Sequence, residues 1–149
     1  MNAEIFLRYV HFISIFAIVG TLVSEHLILK KVMSRSEIGR LARIDAVYGL
    51  AALSLIVAGL TLWLGGVGKP SQFYTGNWIF ITKISLFLLI GILSIYPTVF
   101  FIRNRKGNPD EPVSVPENIF WLLRMELVIL VIIPFLAGLM AKGIGLTIE

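Results

Sequence analysis

The sequence predicts an all-α integral membrane protein, a four-transmembrane-helix bundle with N-out/C-out termini. Three observations carry this. The 149-residue chain is 57% hydrophobic and 15% charged, whereas soluble domains sit nearer 45–50% and about 25%. Four apolar stretches each reach the roughly 20 helical residues that a bilayer core of about 30 Å demands. Lysine and arginine gather in two of the connections between those stretches and are sparse elsewhere.

The spans fall at about 5–29, 45–67, 78–102 and 119–141. Together with short connections they use nearly the whole chain, so residues 1–149 read as one membrane domain. The first span is not a cleavable signal: Glu4 and Arg8 do not make a basic leader, and no small-residue cleavage site follows. Tyr9, Trp63, Tyr74, Trp78, Tyr96 and Trp121 mark span ends, where amphipathic rings favour the interface. Gly65-Gly66-Val67-Gly68-Lys69-Pro70 stops the second helix. Asn108-Pro109 and Pro112 to Pro116 break the chain before the fourth span. Pro97 and Pro134 fall inside spans and should kink them. Gly49, Ala52, Ser54, Ala58 and Gly59, with Ala137, Gly138 and Ala141, suit close helix contact.

Orientation follows from counting Lys and Arg in short loops. The loop after span one, with its margins, holds Lys30, Lys31, Arg35, Arg40 and Arg43; the loop after span three holds Arg103, Arg105 and Lys106. The opposite side has Arg8, Lys69 and Lys142. Eight against three places both basic loops in the cytoplasm and both termini outside, in a multi-pass membrane protein. The net charge of +4 is thereby explained by topology and anionic lipid. Nucleic acid is not a partner, because no basic stripe with interleaved aromatics lies outside the spans. With no cysteine there is no disulfide, thiolate metal site or cysteine nucleophile. Phosphate loops, nucleophile elbows, zinc-protease helices and calcium loops are absent as well.

Ionisable residues inside spans are costly and mark interior contacts or function. Glu25, Arg43, Asp45, Arg124 and Glu126 lie near the cytoplasmic ends of their helices. Two positive and three negative charges at one depth predict an ion-pair network, in which Glu25 pairs with Arg43 or Arg124. Packing alone would explain such a network, since buried ion pairs more often specify structure than catalyse; proton relay or ligand binding is the functional alternative. His26 is expected at the interface. His11 and Lys83 lie toward the outer side. His11 and Glu25 are 14 residues apart, within about 40° on a helical wheel, so they share an inward face with Ser14 beside His11. His11 and Lys83 are expected to meet in one outward-opening pocket as cofactor-binding residues, with His11 a candidate haem-iron ligand or proton-handling group and Lys83 a partner for a carboxylate. A satisfied interior histidine and a snorkelling lysine explain the same pattern without a ligand. His11 and His26 stand about 22 Å apart on one helix and cannot clamp one iron.

Arg8-Tyr-Val-His11, Arg43-Ile-Asp-Ala-Val-Tyr-Gly-Leu-Ala-Ala52, Thr82-Lys-Ile-Ser, Ser94-Ile-Tyr-Pro-Thr98, Arg124-Met-Glu126 and Met140-Ala-Lys-Gly-Ile-Gly145 together resemble an uncharacterised bacterial family of predicted membrane proteins, the domain of unknown function DUF2214. The resemblance covers nearly the whole chain and brings no activity with it. More distantly, His11 early in span one, and Trp78 followed by Lys83, are similar to HemJ-type protoporphyrinogen oxidases and the copper-resistance-D membrane domain. That likeness implies haem b or another porphyrin as cofactor, though the motif around the HemJ histidine is missing here.

Three functions follow. The first is a haem/porphyrin- or redox-associated membrane protein using His11 and Lys83. The second is a non-catalytic accessory subunit of a larger membrane complex, with the charges serving packing. The third is a proton-coupled transporter protomer with Glu25 protonatable; four spans are small for a transport path, so it implies a homo-oligomer.

Overall fold

A computed structural model describes residues 2–147. Four long helices carry the chain: α1 (Ala3–Ile28), α2 (Arg35–Leu64), α4 (Trp78–Asn104) and α5 (Glu117–Ala141), with a one-turn helix α3 (Ser71–Thr75) between α2 and α4. Each long helix is long and apolar enough to cross a membrane. Large apolar side chains such as Phe16, Val131 and Phe135 point away from the bundle and are mostly exposed. In a bilayer these are lipid contacts, because lipid tails are as apolar as the side chains.

The helices form a square. α1 packs chiefly on α2, and α4 on α5; α2 against α4 and α1 against α5 close the ring. Each helix turns one narrow stripe inward. On α1 this is Ser14, Ile18, Leu22 and Glu25; on α5 it includes Ile119, Leu123, Glu126 and Ile129. These are spacings of three and four, as one face of a 3.6-residue helix requires. Ala51 and Ala58 of α2 are buried, as small contact residues should be. Gly49 and Gly138 have open space around them instead.

Both basic loops lie at the same end of the bundle, and a small ribbon joins them. β1 (Val32–Ser34) pairs antiparallel with β2 (Pro112–Ser114), Met33 facing Val113. Pro112 is tolerated because a two-stranded ribbon leaves its missing N–H on an unpaired side. Arg35 N–H donates to the Glu111 carbonyl (3.2 Å) and Val115 N–H to the Lys31 carbonyl (2.8 Å). At the opposite end Asn77 is fully buried. Its side-chain oxygen accepts from Ile79 N–H (2.9 Å) and its amide donates to the Ile144 carbonyl (3.2 Å), tying the chain after α5 to the start of α4.

The start of one helix differs from the sequence-based expectation. α2 begins at Arg35, ten residues before Asp45. Ser34 and Glu37 form a reciprocal capping box, which satisfies two otherwise orphaned N–H groups and starts the helix well outside the apolar run. α4 and α5 run through Pro97 and Pro134. Each proline leaves the carbonyl four residues earlier, of Leu93 and of Leu130, without its helical donor.

Candidate intramembrane carboxylate site

The inward stripes bring three acids into the bundle interior near the end that carries the basic loops. Glu25 of α1 and Glu126 of α5 are each 1% exposed, and Asp45 of α2 is 6% exposed. Asp45 and Glu126 both lie within electrostatic reach of Glu25. α2 and α5 stand on a diagonal of the square. The Tyr48 hydroxyl nevertheless donates to Glu126 Oε2 at 3.3 Å through the buried interior, because Tyr48 follows Asp45 by three residues on the same inward face. From α4 the Thr98 hydroxyl donates to Asp45 Oδ1 at 3.0 Å. All four helices therefore contribute to one polar core: Glu25, Asp45 with Tyr48, Thr98, and Glu126.

No cation joins them. Among the described residues the ion pairs are Arg8–Glu4, Lys30–Glu37 and Arg35–Glu111, at the ends of the molecule. The expected ion-pair network of Glu25, Arg43, Asp45, Arg124 and Glu126 therefore does not form; its acids cluster and its arginines are elsewhere. Arg43 is exposed and its Nε donates back to the Gly39 carbonyl at 3.4 Å. Arg124 is exposed and lies 5.7 Å from the Trp121 ring. The reason is helical phase. Arg43 precedes Asp45 by two residues, as Arg124 precedes Glu126. Two residues are about 200°, so each arginine points away from the face its acid occupies. Both guanidiniums sit near the span ends, where long cationic side chains reach the interface.

Glu25 Oε1 and Glu126 Oε1 are buried with no hydrogen-bond partner. An ionised carboxylate left so costs far more than any single packing contact returns. The arrangement is chemically suited to carrying protons. It is not a ready metal site, since no group of three or more His, Cys, Asp or Glu among the described residues is arranged to hold a metal ion. His26 follows Glu25 and is half-buried, with Nδ1 unpartnered. The sequence reading missed Tyr48 and Thr98. Phase from Asp45 would have found the first; the second lies in the Ser94–Thr98 string, beside Pro97.

His11 and Lys83, the residues expected toward the outer side, are placed differently from one another. The His11 ring packs on Gly59 of α2, where a built Cβ would lie 3.7 Å from Cε1, and its Nδ1 is buried without a partner. Ser14 does not serve it, because its hydroxyl donates to the Val10 carbonyl at 2.8 Å. Lys83 Nζ lies 3.8 Å from Met140 Sδ and 6.0 Å from the Phe80 ring centroid, within electrostatic reach of His11. A cleft of about 180 Å³ opens at this end, lined by Arg8, Lys69, Phe73, Tyr74 and Met140 among others; another of about 330 Å³ opens at the basic-loop end. The His11 ring is thus closed against Gly59 and borders neither cleft.

No curated protein and no solved structure matches the chain. The more distant likeness to HemJ-type and copper-resistance-D proteins is therefore not supported by these comparisons. The family comparison is positive over nearly the full length: the model of predicted membrane proteins DUF2214 matches residues 3–145. The fold and the match agree, and the chain belongs to the DUF2214 family of predicted membrane proteins.

Proposed function

We propose that Glu25, Asp45 and Glu126 form an intramembrane proton-binding site, and that the chain is the protomer of a proton-coupled membrane protein. The observation that carries this is a set of three buried carboxylates from three helices with no cation among the described residues beside them. Protons are the least demanding way to remove the charge, because each needs only one oxygen. Tyr48 and Thr98 donate to Glu126 and Asp45, which leaves the partnerless Oε1 atoms of Glu25 and Glu126 as the positions where a proton is gained or lost. The site lies toward the end with the Lys/Arg-rich loops. On the charge count that end faces the cytoplasm of a bacterial cell, so proton exchange is with that side. Four spans enclose little space, and a homo-oligomer supplies the rest of any path.

Infrared spectroscopy of the purified protein tests this directly. A protonated carboxylic acid band should be present at neutral pH and should weaken in the Glu25→Gln, Glu126→Gln double variant, which leaves Asp45 alone. Absence of that band in the parent, or its undiminished survival in the variant, overturns the reading.

A second reading concerns the outer end, where His11 Nδ1 lacks a partner and Lys83 lacks a counter-charge among the described residues. It is an anion-accepting end rather than a haem site. A Soret band in the purified protein would reverse that choice.

A further inference from the structure

We propose that the cleft between the start of α2 and the α4–α5 connection is a binding site for the phosphate headgroup of an anionic phospholipid in the adjoining leaflet. Its walls carry three arginines, Arg35 and Arg43 from α2 and Arg105 just beyond α4, with Gly39 and Pro109 between them. The cleft holds about 330 Å³, room for a headgroup and too little for a macromolecule.

The three guanidiniums are not equivalent. Arg35 is held: its Nε donates to Glu111 Oε2 at 2.6 Å and its Nη1 to the Asn104 carbonyl at 2.9 Å. Gly107, at φ +121°, lets the connection turn over it, because a Cβ there would stand 2.9 Å from Arg35 Nε. Arg43 and Arg105 have no carboxylate partner among the described residues. Arg35 thus neutralises Glu111, and the net charge facing the cleft comes from the other two. Gly39 matters for their approach: a Cβ built on it would touch Arg105 Cβ at 3.9 Å, so the α4 end lies directly against this face of α2.

Depth selects a lipid over a soluble anion. Residues 45–64 of α2 supply about 30 Å of helix, a full crossing of the hydrocarbon core. Positions 35–43 therefore extend about 12 Å beyond it, through the headgroup layer. The Arg43 side chain folds back toward Gly39, away from the hydrocarbon and into that layer. Basic pockets beside transmembrane helices at the cytoplasmic boundary suit phosphate headgroups, and arginine's planar fork grips phosphate bidentately.

The test is thermal stability of the full chain in mild detergent, titrated with short-chain phosphatidylglycerol, short-chain phosphatidylcholine or inorganic phosphate. Phosphatidylglycerol should raise the melting temperature at concentrations where the other two do not. Arg43→Gln with Arg105→Gln should weaken that response roughly 5-fold per guanidinium removed, while Arg40→Gln, on the same helix but outside the cleft, should leave it unchanged. If the double variant does not fold, either single variant read against Arg40→Gln gives the same decision. Equal responses to the two lipids, or equal losses for Arg40→Gln and the cleft variants, overturn the site. A full response to inorganic phosphate overturns the assignment to lipid.

Discussion

Thr98 on α4 and Asp45 on α2 meet through a 3.0 Å hydrogen bond in the interior of a four-helix membrane bundle. Asp45 is buried, and the Thr98 hydroxyl is the side-chain donor that reaches it. Thr98→Val keeps the shape and removes the donor. It should cost about 1–3 kcal/mol, the usual penalty for stranding a buried polar acceptor. Unfolding in detergent at neutral pH measures it. A variant as stable as the parent would show that Asp45 needs no donor.

Glu25 tests whether the acids are charged. In a buried ion pair, deleting one partner costs about 3–5 kcal/mol and leaves an unmatched charge. A carboxyl that already carries its proton should tolerate Glu25→Gln, which has the same shape and no charge, with a loss below about 1 kcal/mol. Glu25→Gln should therefore be mild and Glu25→Ala worse, because Ala also opens a cavity. Comparable large losses for both would point to an ionised Glu25 with a partner the static structure does not place beside it.

Much of this was legible in the sequence, and the parts that were not have identifiable causes. The spans could be read because bilayer crossing imposes a length that few other structures need. The ribbon of Val32–Ser34 with Pro112–Ser114 could not, because three-residue strands rich in proline look like chain breaks. The early start of α2 was hidden by its polar residues Arg35, Ser36, Glu37 and Arg40, although Ser34 and Glu37 spell a capping box three residues apart. The acids were found by depth. The same depth rule wrongly paired them with Arg43 and Arg124, whereas the wheel argument that joined His11 to Glu25 would have put those arginines on the opposite face.

The Arg35–Glu111 contact makes the basic-loop end sensitive to acid. The Arg35 guanidinium beside it holds the Glu111 carboxyl below the ordinary glutamate range. A lowered folded-state value means that the contact contributes above the unfolded value, roughly 4.3 for glutamate, and that this contribution is lost as pH falls through the lower folded value. Protection of the amides of residues 105–111, taken relative to the intrinsic exchange rate at each pH, should be high at neutral pH and lower in acid. In Glu111→Gln it should be low at both. A parent whose protection in this segment does not fall in acid would argue against the ion pair in solution.

The opposite end depends on Asn77, and two substitutions separate its two jobs. As the residue before α4 it caps the helix through Oδ1, which accepts from Ile79 N–H. Its Nδ2 donates to the Ile144 carbonyl, and around this contact the chain after α5 is pinned by Trp78 N–H to the Gly145 carbonyl at 3.3 Å and Thr147 N–H to the Gly76 carbonyl at 3.1 Å. Gly145 has φ +89° and lies so close that a Cβ would meet Asn77 Oδ1 at 2.7 Å. Asn77→Asp keeps the cap and replaces the donor with an oxygen facing a carbonyl, so residues 142–147 should detach while α4 stays capped. Asn77→Ala loses both functions and should also cost about 1 kcal/mol of cap energy. Limited proteolysis after Lys142 reads the detachment, and thermal unfolding reads the cap. Cleavage should rise in both variants, with the larger loss of stability in Asn77→Ala; equal resistance to cleavage in Asn77→Asp and the parent would mean that the backbone bonds hold the segment without the side chain.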